Sequence, residues 1–286
     1  MTAIDVDHLR RWIGRTERQE DVVTAARVAE VAATLDRPAA PSVGDPLPAL
    51  WHWAFFTPKA PLATLSQDGH PKLGGFMPPI PLPRRMWVGG RLRFLAPLRV
   101  GDRAVRTTEV RDVSAKTGSS GALVFLTLRH EIATGDGPAI VEEQDLVYRE
   151  RATGTARPAA PAAPTELPPA DWRDGLLPGP VQLFRYSAVT FNAHRIHYDW
   201  PYATQVEGYP GLLVHGPLLV LAQVQTHRLS GGAPIASLRH RCISPLFCGQ
   251  PAVIRSADTE AGVALTVAGP NGICASVELT TKEPGA

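Results

Sequence analysis

The chemistry-bearing residues crowd toward the end of the chain. Five of the nine histidines, His194, His197, His215, His227 and His240, lie in the last third, and Phe191–Asp199 reads FNAHRIHYD. Imidazole is the side chain that takes and returns a proton near neutral pH. Eighteen residues after His197 comes His215-Gly216-Pro217. Proline in a first helical turn loses no hydrogen bond and presets φ, so this triplet predicts a helix starting near Gly216. The first amides of that helix, at the positive end of its dipole, would hold a carbonyl oxygen that becomes negative. Gly216, lacking a Cβ, would let a substrate come close. For His197 the plainer reading is a structural histidine beside Tyr198; for His215, a cap; for Asn192, a turn or N-cap residue.

A metal is the rival chemistry. His194, three residues before His197, could join His215 and Cys242 or Cys248 around zinc. No C-x-x-C or H-E-x-x-H spacing is present, so no metal is expected. The three cysteines, Cys242, Cys248 and Cys274, are odd in number. They give no disulfide framework, suit a reducing cytosol and read as small buried hydrophobes.

The elements that must carry these residues form two units. Residues 152–171 contain five prolines, which favour an extended spacer. The expected division is an N-terminal unit 1–151, a Pro/Ala-rich linker 152–171 and a C-terminal unit 172–286. The segment PLRVGDRAV (97–105) matches PLFCGQPAV (245–253), and Arg93 then falls on Arg241. Strand, turn glycine and second strand repeat, as in a duplication. Residues 122–130, 139–148 and 273–281 read as strands; the last puts Ile273, Ala275, Val277 and Leu279 on one face. Residues 22–35 and 216–227 are helix-capable, and the second is apolar nearly all round, hence buried. The fold class is therefore α+β, each unit packing one helix on an antiparallel sheet, with the sheets joined side by side. Trp51, Trp53, Phe55 and Phe56 are read as core over the first helix.

Composition removes other classes. Twenty-five glycines and 28 prolines fall short of a low-complexity chain, and a net charge of +2 argues against nucleic acid or an anionic membrane surface as partner. The amino terminus lacks the apolar run of a signal or anchor. The most apolar window, 211–224, is shorter than the roughly 18 residues of a membrane span. The expectation is a cytoplasmic protein.

FNAHRIHYD followed by Val214-His215-Gly216 resembles the signature D-x-N-P-x-H-x-D and helix-start motif of the MaoC-like enoyl-CoA hydratases and 3-hydroxyacyl-thioester dehydratases of the hotdog fold. The first unit, with HWAFF, PRRMWVGG and VSAKTGSSGALVFLTLRHEI, is similar to the partner hotdog of the two-hotdog branch, which includes mesaconyl-C4-CoA and itaconyl-CoA hydratases. The resemblance implies a tandem hotdog and a hydro-lyase adding water to the double bond of an enoyl-CoA or related pantetheine thioester. Coenzyme A would enter as part of the substrate, with no other cofactor; a homo-oligomer stays open.

Carried over, His197 is the general acid/base, Asn192 orients the water and the Gly216 N–H stabilises the enolate-like oxygen. Asn192 stands where the family has its catalytic Asp, and Asn takes no proton. Either His197 acts alone or His194 or Asp199 supplies a second base. Arg84 and Arg85 would line the acyl pocket and pair a substrate carboxylate. His215, Arg93, Arg239 and Arg241 complete the substrate-binding candidates, the arginines toward the CoA phosphates. The first unit lacks the motif, so one active site per chain is expected. The rival functions are a hotdog acyl-CoA thioesterase and a non-catalytic acyl-CoA-binding module.

Overall fold

Alternating apolar and polar side chains turn about a third of the chain into strands. A computed structural model describes residues 4–118, 121–150 and 175–282; the expected linker 152–171 lies outside them. In chain order the elements are α1 (Val6–Arg10), β1 (Thr16–Val22), α2 (Ala25–Thr34), β2 (Arg84–Phe94), β3 (Arg103–Gly118), β4 (Gly121–Thr134), β5 (Gly137–Arg149), β6 (Gly175–Leu176), α3 (Pro180–Val189), α4 (Gly216–Leu229), β7 (Ile235–Cys242), β8 (Ala252–Thr259), β9 (Gly262–Gly269) and β10 (Gly272–Thr281). No helix among them is long and apolar enough to cross a membrane.

The strands form one sheet in the order β1-β3-β4-β5-β2-β7-β10-β9-β8-β6, every pair antiparallel. Read outward from the β2–β7 seam, the two sides run alike. Residues 97–105 and 245–253 occupy the same place on each side, the link from β2 to β3 and from β7 to β8, and their turn glycines Gly101 and Gly249 both have positive φ. Along the seam Gly90 sits opposite His240. A Cβ at Gly90 would meet the Glu143 carbonyl at 2.5 Å and His240 Nε2 at 2.7 Å, which is why this position has no side chain.

α4 is the central helix of the second unit. It packs on β8, β9 and β10 and buries Leu218, Leu219, Val220, Leu221, Val224 and even Gln223, whose Nε2 donates to the Ala275 carbonyl at 3.2 Å. The first unit departs from the expected plan. α2, capped by Thr24 Oγ1, packs against α3 rather than filling the place equivalent to α4. A single 3-10 turn, Trp51–Ala54, lies against β5, where His52 and Trp53 both donate to Glu142. Trp51, Phe55 and Phe56 are buried core, as expected. The outer ends of β3, β4 and β5 extend past the main core and bury Val110, Val113, Val124 and Leu126 with Leu9 of α1 and Ile80 and Leu82 of the loop before β2.

β10 corrects one facing. A bulge between Ile273 and Ala275 leaves Ile273 exposed and turns Cys274 inward. An extra residue in one strand reverses the parity of everything before it. With one long helix wrapped by a sheet and a second, reduced copy beside it, the architecture is a double hotdog of the α+β class.

Candidate active site

His215 is the N-cap of α4, in extended backbone, and Leu219 N–H is the first amide to reach back to it, at 3.2 Å. Pro217 has no N–H. No acceptor among the described residues takes the Gly216 N–H, so it stands free at the positive end of a 14-residue helix. The reason for glycine differs from the sequence expectation. A Cβ at Gly216 would lie 2.8 Å from Cys242 Sγ and 3.1 Å from Trp87 Cε3, so the missing side chain makes room for β7 and β2 rather than for a ligand.

His197 closes a 3-10 turn, Arg195–His197, and is 7% exposed. Its Nδ1 donates to the Leu213 carbonyl at 2.7 Å, which fixes the tautomer and leaves the Nε2 lone pair available. The ring stacks on His215, centroids 3.7 Å apart and planes 19° off parallel. His215 Nε2 is in turn 2.9 Å from Ser187 Oγ on α3. Burial pushes the His197 pKa down to about 4, and burial together with His197 holds His215 well below the usual range. The pair is neutral at physiological pH. An unprotonated imidazole thus sits directly against the residue that caps the amide end.

The remaining motif residues divide between scaffold and site. Asn192 Oδ1 accepts the His194 N–H at 2.9 Å, closing a turn and leaving only its amide hydrogens for a ligand. Asp199 is not placed as a second base: its carboxylate is ion-paired with Arg195 at 2.7 Å and accepts the Tyr202 N–H at 3.1 Å. His194 is held in a row of rings, 5.4 Å from His197 on one side and 4.2 Å from His70 on the other.

His70 and its neighbour Asp68 are what the sequence reading missed. His70 Nδ1 donates to Asp68 Oδ2 at 2.8 Å. The loop carrying them is seated on the second unit's motif. Arg195 N–H donates to the Asp68 carbonyl at 2.9 Å, Arg195 Nη1 to the Gln67 carbonyl at 3.0 Å, and a Cβ at Gly69 would lie 1.8 Å from the Ala193 carbonyl oxygen. Asp68-Gly69-His70, a turn with its glycine at φ +95°, was the only local sign. The loop walls a cavity of about 360 Å³ with Leu82, Arg85, Tyr148 and Tyr202. Of the rings in this row, His70 is the one on the cavity wall.

Arg85 lies on that wall, and no carboxylate of the described residues is paired with it. Arg84, expected beside it, is instead committed to Glu207, Nε to Oε2 at 2.8 Å. Arg93, Arg239 and Arg241 are not brought to the site. Leu92, Leu238 and His240 point inward, so the arginines alternating with them project from the opposite, exposed face of the sheet. The zinc grouping of His194 and His215 with cysteines does not assemble. Among the described residues the metal-like spacing is that of Asp68, His70 and His194, their ligand atoms within 4.8 Å of one another. The Arg85 charge bears on all three, and a fixed cation opposes a divalent one.

Comparison with known proteins shows the family. The sequence profile of hydroxyacyl-thioester dehydratase type 2 matches residues 50–248. The chain is 46% identical over 276 residues to the mesaconyl-C(4)-CoA hydratase of Chloroflexus aurantiacus, covering 94% of this chain and 96% of that one. It is 30% identical over 235 residues to the mitochondrial hydroxyacyl-thioester dehydratase type 2 of Schizosaccharomyces pombe, covering 73% and 77%. Among solved structures, HtdX of Mycobacterium tuberculosis superposes with a TM-score of 0.66 at 18% identity, over 94% of this chain and all of that one. On the fold, the histidine at the helix start and these matches, the chain belongs to the hydroxyacyl-thioester dehydratase type 2 family.

Proposed function

We propose that the protein hydrates the double bond of an enoyl-CoA thioester, reversibly, and that its acyl group is a C5 dicarboxylic one of the mesaconyl type. The observation that carries the reading is the neutral His197 imidazole stacked against the cap of a helix whose Gly216 amide is free. As water adds to the β carbon, the π electrons move onto the thioester oxygen, where the Gly216 N–H and helix dipole stabilise the charge. His197 Nε2 takes a proton from the water and returns it to the α carbon. Neither step calls for a metal or redox cofactor. Arg85 on the cavity wall suits a second carboxylate, and the acyl group named for the 46% identical relative supports that choice. Free cysteines fit a reducing cytosol.

The test follows the enoyl-thioester absorbance with mesaconyl-C4-CoA, itaconyl-CoA and crotonyl-CoA. Hydration of a dicarboxylyl substrate is expected, with kcat/KM at least about a hundredfold lower in His197→Ala. Equal rates in the two proteins, or release of free thiol from a saturated acyl-CoA instead of hydration, would overturn it.

A further inference from the structure

We infer that the Asp68–His70 pair, delivered from the first unit, occupies the role that Asn192 cannot fill: His70 holds the attacking water and Asp68 positions His70. The inference rests on the hydratase reading above and deepens it. Within the second unit Asn192 Oδ1 is spent on the His194 N–H, Asp199 is neutralised by Arg195, and the His194 ring, packed against those of His70 and His197, is not on the cavity wall. Among the described residues His70 is the histidine that lines the cavity, and it joins the ring row of His197 and His215 through His194. The bond to Asp68 fixes the proton on Nδ1 and turns His70 Nε2 into an acceptor. Burial and the Arg85 charge keep the ring neutral, against the pull of Asp68.

A water has two hydrogens to place. One is accepted by His197 Nε2 and the other by His70 Nε2, which aims an oxygen lone pair at the β carbon. When the C–O bond forms and the π pair moves to the thioester oxygen, the first proton passes to His197 and then to the α carbon. The second stays on the new hydroxyl, still hydrogen-bonded to His70. No atom or charge is left over. The loop is built to carry this load: its turn is closed by Ser66 N–H to the His70 carbonyl at 2.7 Å and locked to the motif through Arg195.

The experiment measures kcat and KM of the full chain on mesaconyl-C4-CoA for the parent, His70→Ala, His70→Gln, Asp68→Asn, Asp68→Glu and His197→Ala, with thermal midpoints as a folding check. Expected are a kcat at least roughly thirtyfold lower in both His70 variants with KM within about threefold, at an unchanged midpoint. Asp68→Asn loses about fivefold or more in kcat, and Asp68→Glu regains part of it. His70→Gln retaining kcat within about twofold while His197→Ala is inactive would overturn the inference and leave the hydratase reading standing. A parent that hydrates nothing sinks the hydratase reading and the inference with it. Parent activity lost to a chelator and restored by zinc would replace the water-holding role with a metal site. Activity indifferent to the chelator is expected.

Discussion

At the residue scale the site is a row of histidine rings beside a cavity whose wall carries Arg85, Lys72 and Asp68. Arg85 is on the cavity wall and forms no ion pair with a described carboxylate, although its charge acts on Asp68 of the same wall, whereas Arg84 is spent on Glu207. A hydrogen bond to a charged group is worth about 1.5–3 kcal/mol, so Arg85→Gln should raise KM for mesaconyl-C4-CoA about ten- to a hundredfold. KM for crotonyl-CoA, which has no second carboxylate, should stay within about twofold. Equal losses on both substrates would mean that Arg85 shapes the cavity instead of reading the acyl group. His197, His215 and Gly216 were legible because one short stretch of sequence places them together. Asp68 and His70 were not, because more than a hundred residues separate them from His194 and only the docking of Gly69 on Ala193 brings them there. The sign of Arg84 against Arg85 was equally hidden, since it depends on where Glu207 falls.

Among elements, α4 is fixed by close packing at its first residue. Gly216→Ala forces a Cβ to within 2.8 Å of Cys242 Sγ and 3.1 Å of the Trp87 ring. Overpacking of this kind costs about 1–3 kcal/mol, so the denaturant midpoint should drop and hydration should fall with it as the amide end shifts. Adding Cys242→Ala removes the nearer obstacle and should recover part of both. A double variant no better than the single would place the strain elsewhere. The strands and α4 were readable from periodicity, and the 97–105 and 245–253 match foretold the mirrored sheet. The bulge at Ile273 was not readable, because alternation alone carries no sign of an extra residue. Nor was the fate of the first helix: α2 has an ordinary apolar stripe, yet it packs on α3 and on the Trp51–Ala54 turn.

For the whole molecule, the decisive property is how many ionisable groups folding holds uncharged. Burial lowers the pKa of His70, His130, His194, His197, His215 and His240, to about 4 for His197 and His240. The unfolded chain takes up protons on these groups first, from 6.5 downward, so their contribution is whole above that pH and is lost as pH falls toward 4. Glu142 acts later in the same direction. Burial works to raise its carboxyl, but the His52 bond and the interactions with His52, His130 and His240, which gain charge as they take up protons, outweigh it and hold the group at about 2, so its share is lost between 4.5 and 2. The urea midpoint should therefore fall steeply between about pH 7 and pH 5, with more than one proton taken up on unfolding. A flat midpoint over that range would show the histidines to be solvated.

The mirrored order of strands about β2 and β7 frees the chain from a rule that binds paired identical subunits. In such a pair any substitution appears twice, and a side chain that suits one cleft must be tolerated in the other. Here each position exists once. The loop bearing Asp68 and His70 can specialise in serving its neighbour's helix, and the first unit can give up a helix of its own without cost to the cleft that works.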